Sequence, residues 1–209
     1  MNHQSFAILH SPFTNMPIMN PTLETIFHRR SIRRYTDRPV EPEKLDLLMQ
    51  AAMAAPSAMN CKPWEFVVVT DPEKLAQFRK RLVFGNRNAP AAIVICGNPR
   101  LSPNPAARLF WQQDCSLAAQ NILIAATSLG LGTVWIGVHP VAEFVRVVRN
   151  VVSLPRHVIP LALLYVGYPA EEKSARTQYD AGRVHLQEYG NRFSQDVHGT
   201  QTSAEDAKK

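Results

Sequence analysis

The chain has 209 residues, 45% hydrophobic and 19% charged, the balance of a polypeptide that buries one sizeable core and not that of a disordered, collagen-like or purely coiled-coil chain. Three scattered cysteines, Cys61, Cys96 and Cys115, without a C-x-x-C pair, argue against a disulfide framework and a structural zinc site. The net charge of +6 is concentrated: Arg29, Arg30, Arg33 and Arg34 supply four of the six excess positive charges, which suits a compact anionic ligand better than an extended nucleic acid.

Residues 1–20 read as an N-terminal extension. No basic residue of the signal-peptide kind precedes Glu24, and Ser11, Pro12, Asn15 and Pro17 break any apolar run. A reduced, cytoplasmic protein is the expectation. Asn20-Pro21 predicts a helix cap followed by proline at the first helical position, with Leu23, Ile26 and Phe27 on one face. A second helix is expected from Pro42, carrying Leu45, Leu48, Met49, Ala52 and Met53, and ending at Ala55-Pro56-Ser57. Phe66–Val69 reads as a strand, Asp71-Pro72 starts a helix with Leu75, Phe78 and Leu82 inward, and Ala91–Cys96 reads as a buried strand.

The proline-rich stretch 98–106 is expected to be a loop, followed by a long helix from about Asp114 to Leu129. Cys115 to Ala142 carries no Asp, Glu, Lys or Arg, but its polar residues and the pair Gly130 and Gly132 favour a helix capped at Gly130 and then a strand, 133–138, over a bilayer span. A short helix around Phe144–Val151 and a core strand, Ile159–Val166, complete one domain over 21–193. Residues 194–209 are polar and expected to be disordered.

Alternating helices and strands suggest a nucleotide-binding sheet, but the glycines argue otherwise. Gly130-Leu131-Gly132 leads from helix into strand and has Trp135 where a third glycine belongs, the reverse of a dinucleotide phosphate loop. Three segments stand out instead. Arg29-Arg30-Ser31-Ile32-Arg33-Arg34 offers paired guanidinium donors and a hydroxyl for a phosphate; a solvated charge run or a nucleic-acid patch are its alternatives. Pro56-Ser57-Ala58-Met59-Asn60-Cys61-Lys62-Pro63 forms a stiff loop able to approach a flat ligand, or simply connects helix to strand. Thr133–Gly137 could lay strand backbone against a ring, with Gly137 leaving room, although Trp135 also suits a core. No histidine pair, nucleophile elbow or other proton-transfer set accompanies them, so a cofactor is expected to carry the chemistry, and no catalytic side chain or metal ligand is assigned.

Taken in order, "RRSIRRY" at Arg29, "APSAMNCKPWEF" at Ala55, "AAQNILIAATSLGLGTVWIG" at Ala118 and "RTQYDAGRVH" from Arg176 resemble the nitroreductase family of FMN-dependent oxidoreductases, over about Thr22 to Tyr189. The resemblance implies an α+β sandwich, a mostly antiparallel central sheet flanked by helices, in an intertwined homodimer with FMN at the interface. It implies phosphate contacts from Arg29, Arg30, Ser31 and Arg33, with Arg176 closing from the C-terminal side. It further implies that Pro56, Ser57, Ala58 and Asn60 reach the flavin of the partner subunit, and that Trp135, Ile136 and Gly137 lie by the ring. The long helix would pack against its symmetry mate through Ala118, Ala119, Ala125 and Ala126. Hydride would pass from NADH or NADPH to flavin N5 and on to an electron-poor acceptor such as a nitroaromatic or quinone, in ping-pong fashion. Phe110 and Trp111 either stack on that acceptor or pack internally.

Two positions depart from the family pattern. Gln178 replaces a second basic residue, and Lys62 stands where glutamine is common, so its charge is expected to stabilise negative charge gained by the flavin. Dehalogenation or flavin fragmentation within the same fold, a flavin-binding sensor, and a nucleic-acid module built on Arg29–Arg34 are the competing readings.

Overall fold

A computed structural model describes residues 20–192. They fall into two compact units, one reaching to Ala175 and the other beginning at Arg176. The expectations for residues 1–19 and 193–209 lie outside the described residues.

Local signals set the helix starts. Helix α1 (Pro21–His28) begins where Asn20 Oδ1 accepts from the amides of Thr22 and Leu23. Proline also opens α2 (Pro42–Met53) and α3 (Pro72–Arg81), the latter capped by Asp71. Strands β1 (Trp64–Val69), β2 (Ala91–Gly97), β3 (Gly132–Gly137) and β4 (Ile159–Gly167) form one antiparallel sheet in the order β1-β2-β4-β3. Helices α2 and α4 (Ala106–Ser128) cover one face, burying Leu48, Ile122 and Ala118 against Ile93, Ile95 and Leu164. Helices α3 and α5 (Ala142–Val151) cover the other, where Phe78, Val147 and Val148 meet Val94, Leu163 and Tyr165. Strand β2 is buried along its whole length, because helices close both of its faces. The expected α+β sandwich with an antiparallel sheet is the observed fold.

Two expectations about α4 are corrected. The helix starts at Ala106, eight residues before Asp114, and only a single 3₁₀ turn at Pro99–Leu101 breaks the preceding loop. Pro105 is tolerated because it sits at the helix N-terminus, where Asn104 Oδ1 accepts the Ala106 amide at 2.9 Å. Ala107, Trp111, Cys115, Ala118 and Ile122 then continue one buried stripe at helical spacing.

The second correction concerns the small residues. Ala118, Ala119 and Ala126 are fully buried within this chain's own core, so they bring α4 close to the sheet and not to another copy. The outward side of α4 instead shows Phe110 and Leu117, each 45% exposed, between Gln113 and Gln120.

The unit beginning at Arg176 is held by short-range contacts. Asp180 caps the turn Ala181–Arg183 and pairs with Arg183 at 3.0 Å, and the rings of His185 and Tyr189 lie 4.5 Å apart.

Candidate functional site

Helix α1 ends as Arg29 turns to extended backbone, and the chain then runs along the open edge of β3. Ser31 pairs with Thr133 in a parallel bridge, and the Ile32 amide donates to Thr133 O at 2.8 Å. Bridge partners point their side chains to the same face. Ser31 and Thr133 therefore share the α4 face of the sheet, and alternation brings Trp135 and Gly137 to it. Their partners on β4, Val166 and Leu164, belong to the cluster under α4. Ile32 turns the other way and packs on Val134 and Ile136 in the opposite cluster.

The arginines part from one another at this edge. Arg33 Nη1 approaches Ser31 O at 3.5 Å, and Tyr35 turns back to pack with Ile32, so regular alternation ends there. Arg30 goes with Ile32, donating to Ser174 O and lining a cavity of about 580 Å³ with His28, Gly130 and Glu171. The segment is anchored by residues that no sequence motif singled out. Glu171 accepts the Arg33 amide at 2.5 Å and the Arg34 amide at 3.3 Å, and Lys173 Nζ donates to Ser31 O at 2.6 Å. The Arg33 amide foremost, then the Lys173 ammonium, pull the Glu171 carboxyl down to about 2. In sequence these are ordinary surface charges; only the return of the chain after β4 brings them here.

Strand β3 is the second element. Val138 N donates to Leu161 O and Thr133 O accepts from Ile32, so even-numbered β3 residues bond to β4 and odd-numbered ones direct amide and carbonyl outward. Past Ile32 the neighbouring segment leaves, which frees the outward groups of Trp135 and Gly137. A Cβ placed on Gly137 would have nothing within 4 Å, and Trp135 is 36% exposed. The result is an open shelf flanked by two cations. The Ile136 side chain is buried on the far face, so only its backbone is near the shelf.

The third element, the loop before β1, is strained and pinned. Met59, Asn60 and Lys62 have φ of 49°, 55° and 48°, the left-handed region that costs a non-glycine residue on the order of 1–2 kcal/mol, least for asparagine. Ser57 Oγ accepts the Lys62 amide at 3.0 Å and Asp114 Oδ1 accepts the Ala58 amide at 3.0 Å. Cys61 is buried beside Ala106 and Ala107. Pro56 and Asn60 are exposed, with Ser57 and Ala58 half-buried.

The loop enters the sheet at Trp64, on the opposite edge from β3 and at the end away from Thr133: Trp64 pairs with Gly97 and Gly97 with Ile159, whereas Thr133 pairs with Val166 and Gly137, nearer the loop's end, with Ala162. Three strand spacings and seven residues separate these corners, roughly 25 Å. The structure thus sets Ser31 and Arg33 on the β3 edge that carries Trp135 and Gly137, with Arg29 preceding them at the end of α1, and puts Pro56–Asn60 before the opposite edge strand. Arg176 is exposed and opens the second unit. Trp111 is buried over Gly97 and edge-on to His139, 5.1 Å between centroids, which places it in the core. Asp114 is a further residue that the motifs missed; its signal was a charge on the buried side of a helical period.

The model of the Nitroreductase family matches residues 26–83 and 82–168. The chain belongs to the nitroreductase family. A nitroreductase-family protein of Methanothermobacter thermautotrophicus with a provisional NADH dehydrogenase/NAD(P)H nitroreductase name is 45% identical over 169 residues, covering 80% of this chain and 87% of its own length. A crystal structure from Parabacteroides distasonis with the same provisional name is 42% identical, with a TM-score of 0.76, over 82% of this chain and 100% of that one. A provisionally named nitroreductase of Desulfovibrio desulfuricans, crystallised in complex with FMN, is 31% identical with a TM-score of 0.64, over 77% of this chain and 93% of its own. No helix among the described residues is long and apolar enough to cross a membrane.

Proposed function

We propose that this nitroreductase-family chain is an FMN-dependent NAD(P)H oxidoreductase, working as a homodimer in the cytoplasm on an electron-poor acceptor such as a nitroaromatic or quinone, with ping-pong kinetics. The observation that carries the reading is the bridge from Ser31 to Thr133, which sets the arginine segment, with Arg33 beside Ser31, along the strand that bears Trp135 and Gly137. The residues present fit FMN. The Arg29 guanidinium and the Ser31 hydroxyl have no hydrogen-bond partner among the described residues, as a phosphate site needs. The space over Gly137 admits a flat ring.

Bound FMN supplies the redox chemistry, accepting hydride from NAD(P)H and passing reducing equivalents to the acceptor. The protein's part is binding and orientation. Arg29, Ser31 and Arg33 would neutralise and hold the phosphate, and the outward amides of Trp135 and Gly137 would offer hydrogen bonds to the ring. One open face serves donor and acceptor in turn, which is the geometric basis of ping-pong exchange.

The homodimer reading rests on two observations. Pro56–Asn60 joins the sheet at the edge strand β1, three strands from β3 and roughly 25 Å from the Ser31–Thr133 corner, and the reading has it meet the flavin of a second copy. The exposed Phe110 and Leu117 on α4 give that copy an apolar surface. Three buried, unpaired cysteines suit a reducing compartment.

The test is an absorbance spectrum of the purified protein followed by anaerobic NADH and then NADPH. A flavin band near the blue that bleaches with one donor is the expected result. A protein that stays colourless after incubation with FMN overturns the reading and returns the arginines to an anion or nucleic-acid surface.

A further inference from the structure

Helix α4 carries one acid in its core. Asp114 is 3% exposed, on the stripe that otherwise holds Trp111, Cys115, Ala118 and Ile122. Its Oδ1 accepts the Ala58 amide at 3.0 Å, while Oδ2 is buried with no hydrogen-bond partner. A half-satisfied carboxylate at such a depth is costly, and an apolar residue would serve the core better, so its retention calls for a task. The one group it holds is in the loop 57–62.

That loop needs holding. Met59 and Lys62 are left-handed without being glycine, and Met59 is 76% exposed, so burial of its side chain does not fix it. The restraints within the loop are local: Asn60 N to Ser57 O and Cys61 N to Ala58 O, each at 3.0 Å, and Lys62 N to Ser57 Oγ. They close the turn on itself but do not orient it on the body of the protein. Packing does part of that, with Cys61 and Ala58 against Ala106 and Ala107, and the bond from Ala58 N–H to Asp114 does the rest. Of the two only the second is directional.

We infer that Asp114 is a positioning residue: from inside α4 it orients the strained loop 57–62 through the Ala58 amide, so that Ser57, Ala58 and Asn60 are presented in one fixed arrangement to the flavin of the partner subunit. This rests on the reading of that loop as flavin-facing. The carbonyl-type acceptor matters, not the charge, so asparagine at 114 substitutes for it and alanine does not.

The test uses the full-length protein. Hydrogen exchange at the amides of Ala58, Asn60 and Cys61 is measured without FMN, and FMN affinity by fluorescence quenching on the same preparations. Asp114→Ala is expected to speed exchange of the Ala58 amide at least ten-fold and to weaken FMN at least ten-fold, with the far-ultraviolet circular dichroism retained. Asp114→Asn is expected to stay within about three-fold of wild type in both, since its Oδ1 still accepts the amide. Ala58→Pro removes the donor from the loop side; Ser57 before it is already extended, as proline requires. It should reproduce the FMN loss of Asp114→Ala, and it keeps the proposal testable if Asp114→Ala does not fold. Wild-type exchange and FMN affinity in Asp114→Ala, or asparagine as damaging as alanine, overturns the role of Asp114. A wild-type protein that binds no FMN overturns the flavin reading instead, while the exchange comparison still decides the anchoring of the loop.

Discussion

Gly132 is where the arginine segment meets the sheet, and Gly132→Ala tests whether that contact builds the site. A Cβ there would lie 2.8 Å from Cβ, Cγ1 and Cγ2 of Ile32, against about 3.5–4.0 Å for an ordinary carbon contact. Rotation cannot relieve the clash, because Ile32 Cβ is fixed to the backbone and both its branches are equally close. The segment must therefore retreat by roughly 0.7–1 Å, which stretches the 2.8 Å bond from Ile32 N to Thr133 O beyond useful length.

Overpacking of this kind costs about 1–3 kcal/mol and the lost hydrogen bond about 1 kcal/mol. At about 2–4 °C per kcal/mol for a domain of this size, Tm should fall by about 5–15 °C. Displacing Arg29, Ser31 and Arg33 together should weaken FMN about ten-fold, equivalent to about 1.4 kcal/mol. Thermal unfolding by circular dichroism and an FMN titration on folded protein read the two effects. Gly137→Ala is the matched control: nothing lies within 4 Å of the added methyl, so Tm should stay within about 2 °C while FMN still weakens, because the methyl stands on the shelf. A Gly132→Ala protein with wild-type Tm and FMN affinity would refute the edge geometry, as would equal destabilisation by both substitutions.

The remaining expectations concern charge and assembly. Glu171 is held at about 2 against an ordinary 4.5 by the Arg33 amide and then Lys173, so the unfolded chain takes up its proton first; its contribution is complete above pH 4.5 and is lost as pH falls toward 2. Urea midpoints across that window should fall more steeply for wild type than for Glu171→Gln, and parallel curves would contradict the assignment. Leu117→Asp places a charge on the outward face of α4 and should halve the mass measured by light scattering and abolish FMN binding; an unchanged dimer would move the interface elsewhere. Lys62 is exposed on the loop assigned to the partner's flavin, so Lys62→Gln should lower the bound flavin's potential on the order of 30 mV, the equivalent of about 1.4 kcal/mol in a two-electron couple. An unchanged potential would place the ammonium away from the ring.

Much of this protein was legible in its sequence, because the signals concerned are local. Asn20-Pro21 and Asp71-Pro72 announce helices through amides that a neighbouring carboxamide or carboxylate can reach, and Ala91–Gly97 is apolar throughout because both of its faces are covered. Gly130, with φ of 73°, ends α4 as a left-handed cap. The start of α4 lies earlier than the proline-rich stretch suggests, because proline breaks a helix in its interior but is compatible with its N-terminus, where Pro105 sits. Ala118, Ala119 and Ala126 face this chain's own core, which composition does not reveal, since it says which residues are small and not which side of the helix they occupy.

The site itself depended on pairing at long range. Four arginines stand side by side in the sequence; tertiary contacts separate two of them, Arg30 reaching Ser174 O while Arg33 Nη1 approaches Ser31 O. Glu171 and Lys173 reach the segment across about 140 residues of chain, and no local pattern could announce that. The motifs of the sequence marked which groups are candidates for the site. The strand order β1-β2-β4-β3 decided that the loop at Pro56 and the arginines at β3 occupy opposite corners of one sheet, because neighbours in a sheet are chosen by hydrogen-bond pairing and burial and not by nearness along the chain.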